Sequence, residues 1–118
     1  MHILYLGDVM GEPGIAVVEA LLPGLIKELS VDVVIAQAEN VTEGKGMLPF
    51  DMRRLQAAGV TFFTGGNHIN VRPELLPLLE DESAPVIGPA NLPDVPGPGY
   101  KTIQTTAGSL LIVSLLGT

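Results

Sequence analysis

Three short apolar runs, each closed by polar residues, set the frame of this chain. "HILYLGD" ends in Asp8, "VDVVIAQAEN" in Glu39 and Asn40, and "VTFFTGGNH" in Asn67 and His68. The runs are nearly continuous in hydrophobicity and partly β-branched or aromatic. That suits strands covered on both faces of a mainly parallel sheet. Between them the apolar spacing changes to three and four. Ile15, Val18, Leu22, Leu25, Ile26 and Leu29 make one helical face behind Pro13, a residue that suits a first turn. Pro23-Gly24 predicts a kink or a break in this helix. Pro49 opens a second helix carrying Met52 and Leu55, with Gly59 at its C-terminal cap. Asn70 is placed to cap a third, with Pro73 in its first turn and Leu75, Leu76 and Leu79 inside.

The order β-α-β-α-β-α predicts βαβ units and an open α/β sheet. Residues 83–99, "SAPVIGPANLPDVPGPG", read as a long irregular connection with one short buried strand at Val86 and Ile87. "YKTIQTTAGSLLIVSLLGT" predicts a hairpin turning at Ala107-Gly108. In open α/β sheets, ligands bind beyond the carboxyl ends of the strands. Asp8, Glu39, Asn40, Asn67 and His68 are far apart in sequence, yet this fold brings them to one rim.

Composition narrows the chemistry. A chain of 118 residues is one domain at most. With 47% hydrophobic residues it is built to pack a core. A formal net charge of -7 offers no basic patch for a nucleic-acid backbone. A small phosphorylated substrate stays open, because bound cations invert the local field. The absence of cysteine removes disulfides, thiolate zinc sites and cysteine nucleophiles together. The start has no basic n-region or small-residue cleavage site, and runs such as "SLLIVSLLG" are too short to cross a bilayer. A cytoplasmic setting, away from membranes, is expected.

The rim residues suit metal chemistry. Two carboxylates supply hard oxygen ligands, one of which can bridge two cations, and an asparagine carbonyl is a neutral oxygen ligand. Oxygen with added imidazole suits Mn, Fe or Zn. Two ions held about 3.5–4 Å apart clamp a phosphoryl group and bring bound water towards a pKa of roughly 7. A nearby histidine can then protonate the leaving oxygen. "GDVMGEPG" and "TEGKGM" leave room for substrate near backbone, and the first leads into a helix N-terminus. Taken singly, each residue has a plainer reading. Asp8 can cap a turn, Glu39-Asn40 can open a loop, and Asn-His pairs are common in turns. Their joint placement at three strand ends favours a metal site. His2 lies roughly 20 Å down the first strand from Asp8, at about 3.3 Å per residue, and cannot join it.

Four segments carry a resemblance. "GDVMGEPG", "AENVTEGKGMLP", "GGNHIN" and "PANLP" resemble the motifs of the YmdB-like branch of calcineurin-like metallophosphoesterases, in that family's order and spacing. Met10 stands where the wider superfamily usually has histidine, and Glu39-Asn40 where it has Gly-Asp; both are features of this branch. Asn70 stands where the family often has aspartate, and Gly88 where it often has arginine. The resemblance implies an α/β/β/α sandwich with a mainly parallel sheet. It implies that Asp8 binds one metal, Glu39 bridges both, Asn67 binds the second, His68 donates a proton near the phosphate, and Asn40 neighbours the site. The implied activity is hydrolysis of phosphoric diesters, cyclic nucleotides included, by a hydroxide activated by two Mn or Fe ions.

The family takes further metal-binding histidines from a second half. Residues 1–118 are therefore expected to be the N-terminal part of a single metallophosphoesterase domain. By itself that part would bind metal weakly and turn over nothing useful, and its exposed sheet surface would favour association between copies. Two rivals remain: a non-catalytic binding or regulatory module on the same fold, and a dinucleotide-binding domain. The latter is weakened by Asp8, which stands where a G-x-G-x-x-G fingerprint needs glycine.

Overall fold

Alternation along the strands decides the layering. The computed structural model, which describes residues 1–117, contains a four-stranded sheet in the order β1 (Ile3–Leu6), β2 (Val33–Gln37), β3 (Phe62–Thr64) and β4 (Val86–Ile87). Every pairing is parallel, with Ile3 opposite Val33, Ile35 opposite Phe62 and Phe63 opposite Val86. Successive side chains on a strand point to opposite faces. Val34, Ala36, Phe63 and Val86 pack with the helices, while Val33, Ile35, Phe62 and Ile87 pack on the other side.

The helical layer is α1 (Gly11–Leu29), α2 (Pro49–Ala58) and α3 (Leu76–Glu80), the last preceded by a 3-10 turn over Pro73–Leu75. Ile15, Val18 and Leu22 of α1, Met52 and Leu55 of α2, and Leu75 and Leu79 fill the core beneath it. The opposite layer is a hairpin of β5 (Tyr100–Thr105) and β6 (Gly108–Val113), which seats Ile112 against Val33, Ile35, Phe62 and Ile87. The mixed α/β architecture with a parallel sheet is the one the apolar pattern predicts.

Three local expectations differ. α1 runs unbroken through Pro23. Proline removes one backbone bond, to the carbonyl four residues back. Pro23 and Glu19 are both exposed, so water can serve that carbonyl while Leu22 stays buried beneath. Asn70 caps nothing: the residue before the 3-10 turn is Arg72, and no side chain caps it. Residues 67–70 form their own turn, with Ile69 N–H on the Gly66 carbonyl, which leaves Asn70 outside the helical start. The hairpin pairs Thr105 with Gly108, so its loop is Thr106-Ala107, one residue earlier than the pattern suggests.

Two polar anchors were not apparent from the sequence. Lys101, on the inner face of β5, is only 6% exposed. Its ammonium donates to the carbonyls of Asp81 (2.7 Å), Ala84 (2.9 Å) and Leu78 (3.3 Å), tying the hairpin to the end of α3. Burial pushes its pKa down, against the opposing charges of Asp81 and Glu82. Between α1 and α2, Arg54 reaches Glu12 at 2.8 and 2.9 Å and Glu19 at 2.8 Å. At the far end of the sheet, His2 Nδ1 lies 3.0 Å from the Leu29 carbonyl and 3.1 Å from that of Ser30. His2 thus serves the C-terminus of α1, remote from the rim.

Two outcomes follow. Lys101→Met removes the ammonium shared by three carbonyls, of which that of Asp81 keeps the Ala84 N–H, and should lower the unfolding free energy by about 2–4 kcal/mol in chemical denaturation. The Arg54 hydrogen bond lowers the Glu12 pKa below its ordinary 4.5. A depressed carboxyl stabilises the fold above its unfolded pKa and loses that contribution as pH falls through the folded value. The stability gap between wild type and Arg54→Met should therefore be constant near neutrality and close below pH 4.5; a gap that persists undiminished in acid would contradict the pairing.

Candidate functional site

Backbone bonds continue past the strand ends and stitch the rim loops together. Val9 N–H donates to the Gln37 carbonyl (3.3 Å), Gly11 N–H to that of Asn40 (3.1 Å) and Ala38 N–H to that of Thr64 (2.7 Å). Val9 is 5% exposed and anchors the β1–α1 loop in the core. Asp8 is consequently held at the surface beside the β2 loop, with Glu39 and Asn40 next to it and His68 beyond.

Four of the five predicted residues make one hydrogen-bonded chain. Asn40 Nδ2 donates to Asp8 Oδ1 at 2.8 Å, and Asn40 Oδ1 lies 3.2 Å from His68 Nδ1. The His68 backbone N–H donates to Glu39 Oε2 at 3.1 Å, and Nδ1 lies 3.6 Å from the same oxygen. These contacts join the ends of three different strands. Asn67 lies between Gly66 and His68 but is exposed, and its side chain has no hydrogen-bond partner among the described residues.

The network fixes a tautomer. An ionised carboxylate only accepts, so Asn40 must turn its NH₂ to Asp8 and its carbonyl to His68. Nδ1 of His68 then faces two acceptors, Asn40 Oδ1 and Glu39 Oε2, and must carry a proton. The other ring nitrogen, Nε2, is left without a partner among the described residues. The imidazole is 44% exposed and open to an incoming ligand.

Two supporting residues were missed. Gln37 donates from Nε2 to Glu39 Oε1 at 2.7 Å, so both Glu39 oxygens are held. The signal was present, since Gln37 is the polar residue closing an apolar strand. Gly66 lies beneath the Glu39 carboxylate, and a Cβ there would collide with Oε1 and come within 2.7 Å of Oε2. The space a side chain would need is occupied by the proposed ligand.

As a metal centre the rim is partial. Asp8, Glu39 and the Asn67 carbonyl are oxygen donors of the kind that hold hard divalent cations. Among the described residues, however, no three His, Cys, Asp or Glu side chains converge closely enough to cage an ion. The donor set fits in kind and falls short in number.

A family model described as "YmdB-like protein" matches residues 4–118. The chain is 30% identical over 118 residues to a 2',3'-cyclic-nucleotide 2'-phosphodiesterase of Bacillus subtilis, covering 99% of this chain and 44% of that protein. A solved structure of a hypothetical protein from Thermus thermophilus superposes with a TM-score of 0.88 at 40% identity, covering 99% of this chain and 45% of that one. Another, of a novel phosphatase from Mycoplasma pneumoniae, gives 0.87 at 30% identity, covering 98% and 43%. The chain thus spans less than half the length of the relatives it matches.

Gly66→Ala should displace the Glu39 carboxylate and break its bond to the His68 amide. The measurement is amide hydrogen exchange by NMR. Exchange at His68 should rise while Phe63, in the core strand, stays protected; unchanged protection at His68 would mean that Glu39 does not depend on the glycine.

Proposed function

The chain belongs to the YmdB-like protein family, and from that membership we propose that it carries the N-terminal part of a metal-dependent phosphodiesterase site. The observation that carries this reading is the continuous contact Asp8–Asn40–His68–Glu39 across three parallel strand ends. In this reading the 118 residues are one portion of a single metallophosphoesterase domain. The substrate is a small phosphodiester, cyclic nucleotides included, met in the cytoplasm. Among the described residues no helix is long and apolar enough to cross a membrane.

Asp8, Glu39 and Asn67 would hold two divalent cations, Mn or Fe. When bound, such a pair supplies an ionised water near neutral pH and neutralises charge on the phosphoryl oxygens. Every other role falls to the protein. Gln37 and the His68 amide hold the Glu39 carboxylate in place, with its rotation blocked by two donors. Asn40 holds Asp8 with one end of its amide and His68 with the other. That leaves Nε2 of a protonated His68 to donate to the leaving oxygen, and neutral His68 to take the proton back from water.

The rim is short of ligands, so weak metal binding and negligible turnover are expected of this chain alone. Isothermal titration with Mn²⁺ should give weak binding that is lost in Asp8→Ala and in Glu39→Ala. Occupancy unchanged in both variants would refute the ligand assignment. Turnover of a 2',3'-cyclic nucleotide by the chain alone should be undetectable, and robust Mn²⁺-dependent hydrolysis would overturn the idea that the site is partial. A non-catalytic binding module on the same fold makes a different forecast. It keeps ligand binding in Asp8→Ala and gives no turnover even when joined to the remainder of a related enzyme.

A further inference from the structure

The loop after β2, residues 39–46, folds back on itself. Gly46 N–H donates to the Glu39 carbonyl, Thr42 N–H to that of Gly46 (3.0 Å) and Lys45 N–H to that of Thr42 (2.9 Å). Asn40 and Gly46 also form a lone parallel bridge. Any shift of residues 42–46 is therefore passed directly to Glu39 and Asn40. The loop after β3 is a second closed unit, with Ile69 N–H on the Gly66 carbonyl and Val71 N–H on that of His68 (3.2 Å).

One side chain joins these units away from the carboxylates. Arg72, four residues after His68, donates from Nε to the Lys45 carbonyl (2.9 Å) and from Nη2 to that of Thr42 (3.1 Å). Its stem crosses the Gly46 backbone so closely that a Cβ on Gly46 would lie 2.7 Å from Arg72 Cγ, and Gly46 has a φ of +70° that disfavours any side chain. The Glu43 carboxylate, 4.0 Å from Nη2, adds little because it is 88% exposed. The contact is thus a planar fork gripping two carbonyls of one loop from the other.

We propose that Arg72 is a positioning residue. It sets the separation of the loop bearing Glu39 and Asn40 from the loop bearing His68. This rests on the reading above for its consequence, since the gap it fixes is the one across which His68 meets Glu39 and Asn40. The geometry itself involves no metal. Lysine at this position has one nitrogen where arginine has a rigid fork, so it cannot hold both carbonyls in the same arrangement.

The test is amide exchange by NMR on the 118-residue chain, in wild type, Arg72→Ala and Arg72→Lys. Arg72→Ala should speed exchange at Gly46 and at His68, whose N–H bonds to Glu39, by about tenfold. Phe63 should keep wild-type protection, and Arg72→Lys should lie between. Should Arg72→Ala fail to fold, Arg72→Lys decides, with His68 faster by a few-fold and Phe63 unchanged. Unchanged exchange at His68, or equal acceleration at His68 and Phe63, would overturn the proposal. Mn²⁺-induced broadening of the Glu39 and Asn40 signals in wild type is read separately. Its absence would sink the metal reading and leave the role of Arg72 standing on the exchange rates alone.

Discussion

The rim depends on one carboxylate held over a glycine. Glu39 accepts from Gln37 on its own strand end and from the His68 amide on the next, and it occupies the space that a side chain on Gly66 would need. That arrangement is possible because β2 and β3 are parallel neighbours in fixed register, with Gln37 opposite Thr64. Parallel strands put equivalent ends on the same side, so polar residues that follow each run must meet. An antiparallel pairing would have sent Glu39 and His68 to opposite edges.

Around that carboxylate, amide side chains and glycines do the orienting, and charged groups are few. Asn40 is bound by an acceptor on one side and a ring nitrogen on the other, which settles its own orientation and the histidine tautomer together. Arg72 and Gly46 work from behind, on backbone carbonyls only. The buried Lys101 plays a comparable part for the hairpin, where three carbonyls accept from one ammonium. In each case a multi-donor side chain from one segment gathers the carbonyls of another, adding to the backbone bonds that the Thr42 and Asp81 carbonyls already accept.

The outer surfaces agree with the coverage of the relatives. Ile3 (48%) and Tyr5 (55%) on β1, and Leu111 (59%) and Val113 (50%) on β6, expose apolar side chains to solvent. The radius of gyration, 13.4 Å, is close to the roughly 13.5 Å expected of a compact chain this long, so these faces are uncovered surface on a closed core. Proteins more than twice as long have further chain available to cover such faces.

The strands and the convergence of Asp8, Glu39, Asn40 and His68 could be read from the sequence, because short apolar runs write the strands and parallel topology follows from the helices between. The expected cover on both faces holds for β2, β3 and β4, whereas Ile3 and Tyr5 leave one face of β1 open to solvent. The family motifs were legible for the same reason: their polar residues sit at fixed offsets from those runs. Gln37 was legible in principle, as a polar residue closing an apolar strand. What could not be read was set by contacts between segments distant in the chain. Pro23 passes through a helix because both it and the carbonyl it leaves free face water, a fact of packing. Asn70 lost its cap role to a turn whose partners lie upstream. Nothing in the sequence around Lys101 and Arg72 names a partner, and only the fold shows which carbonyls they serve. Local periodicity is written by a residue's own neighbours in sequence, whereas the partner of a long polar side chain is chosen by whatever the folded chain brings within reach.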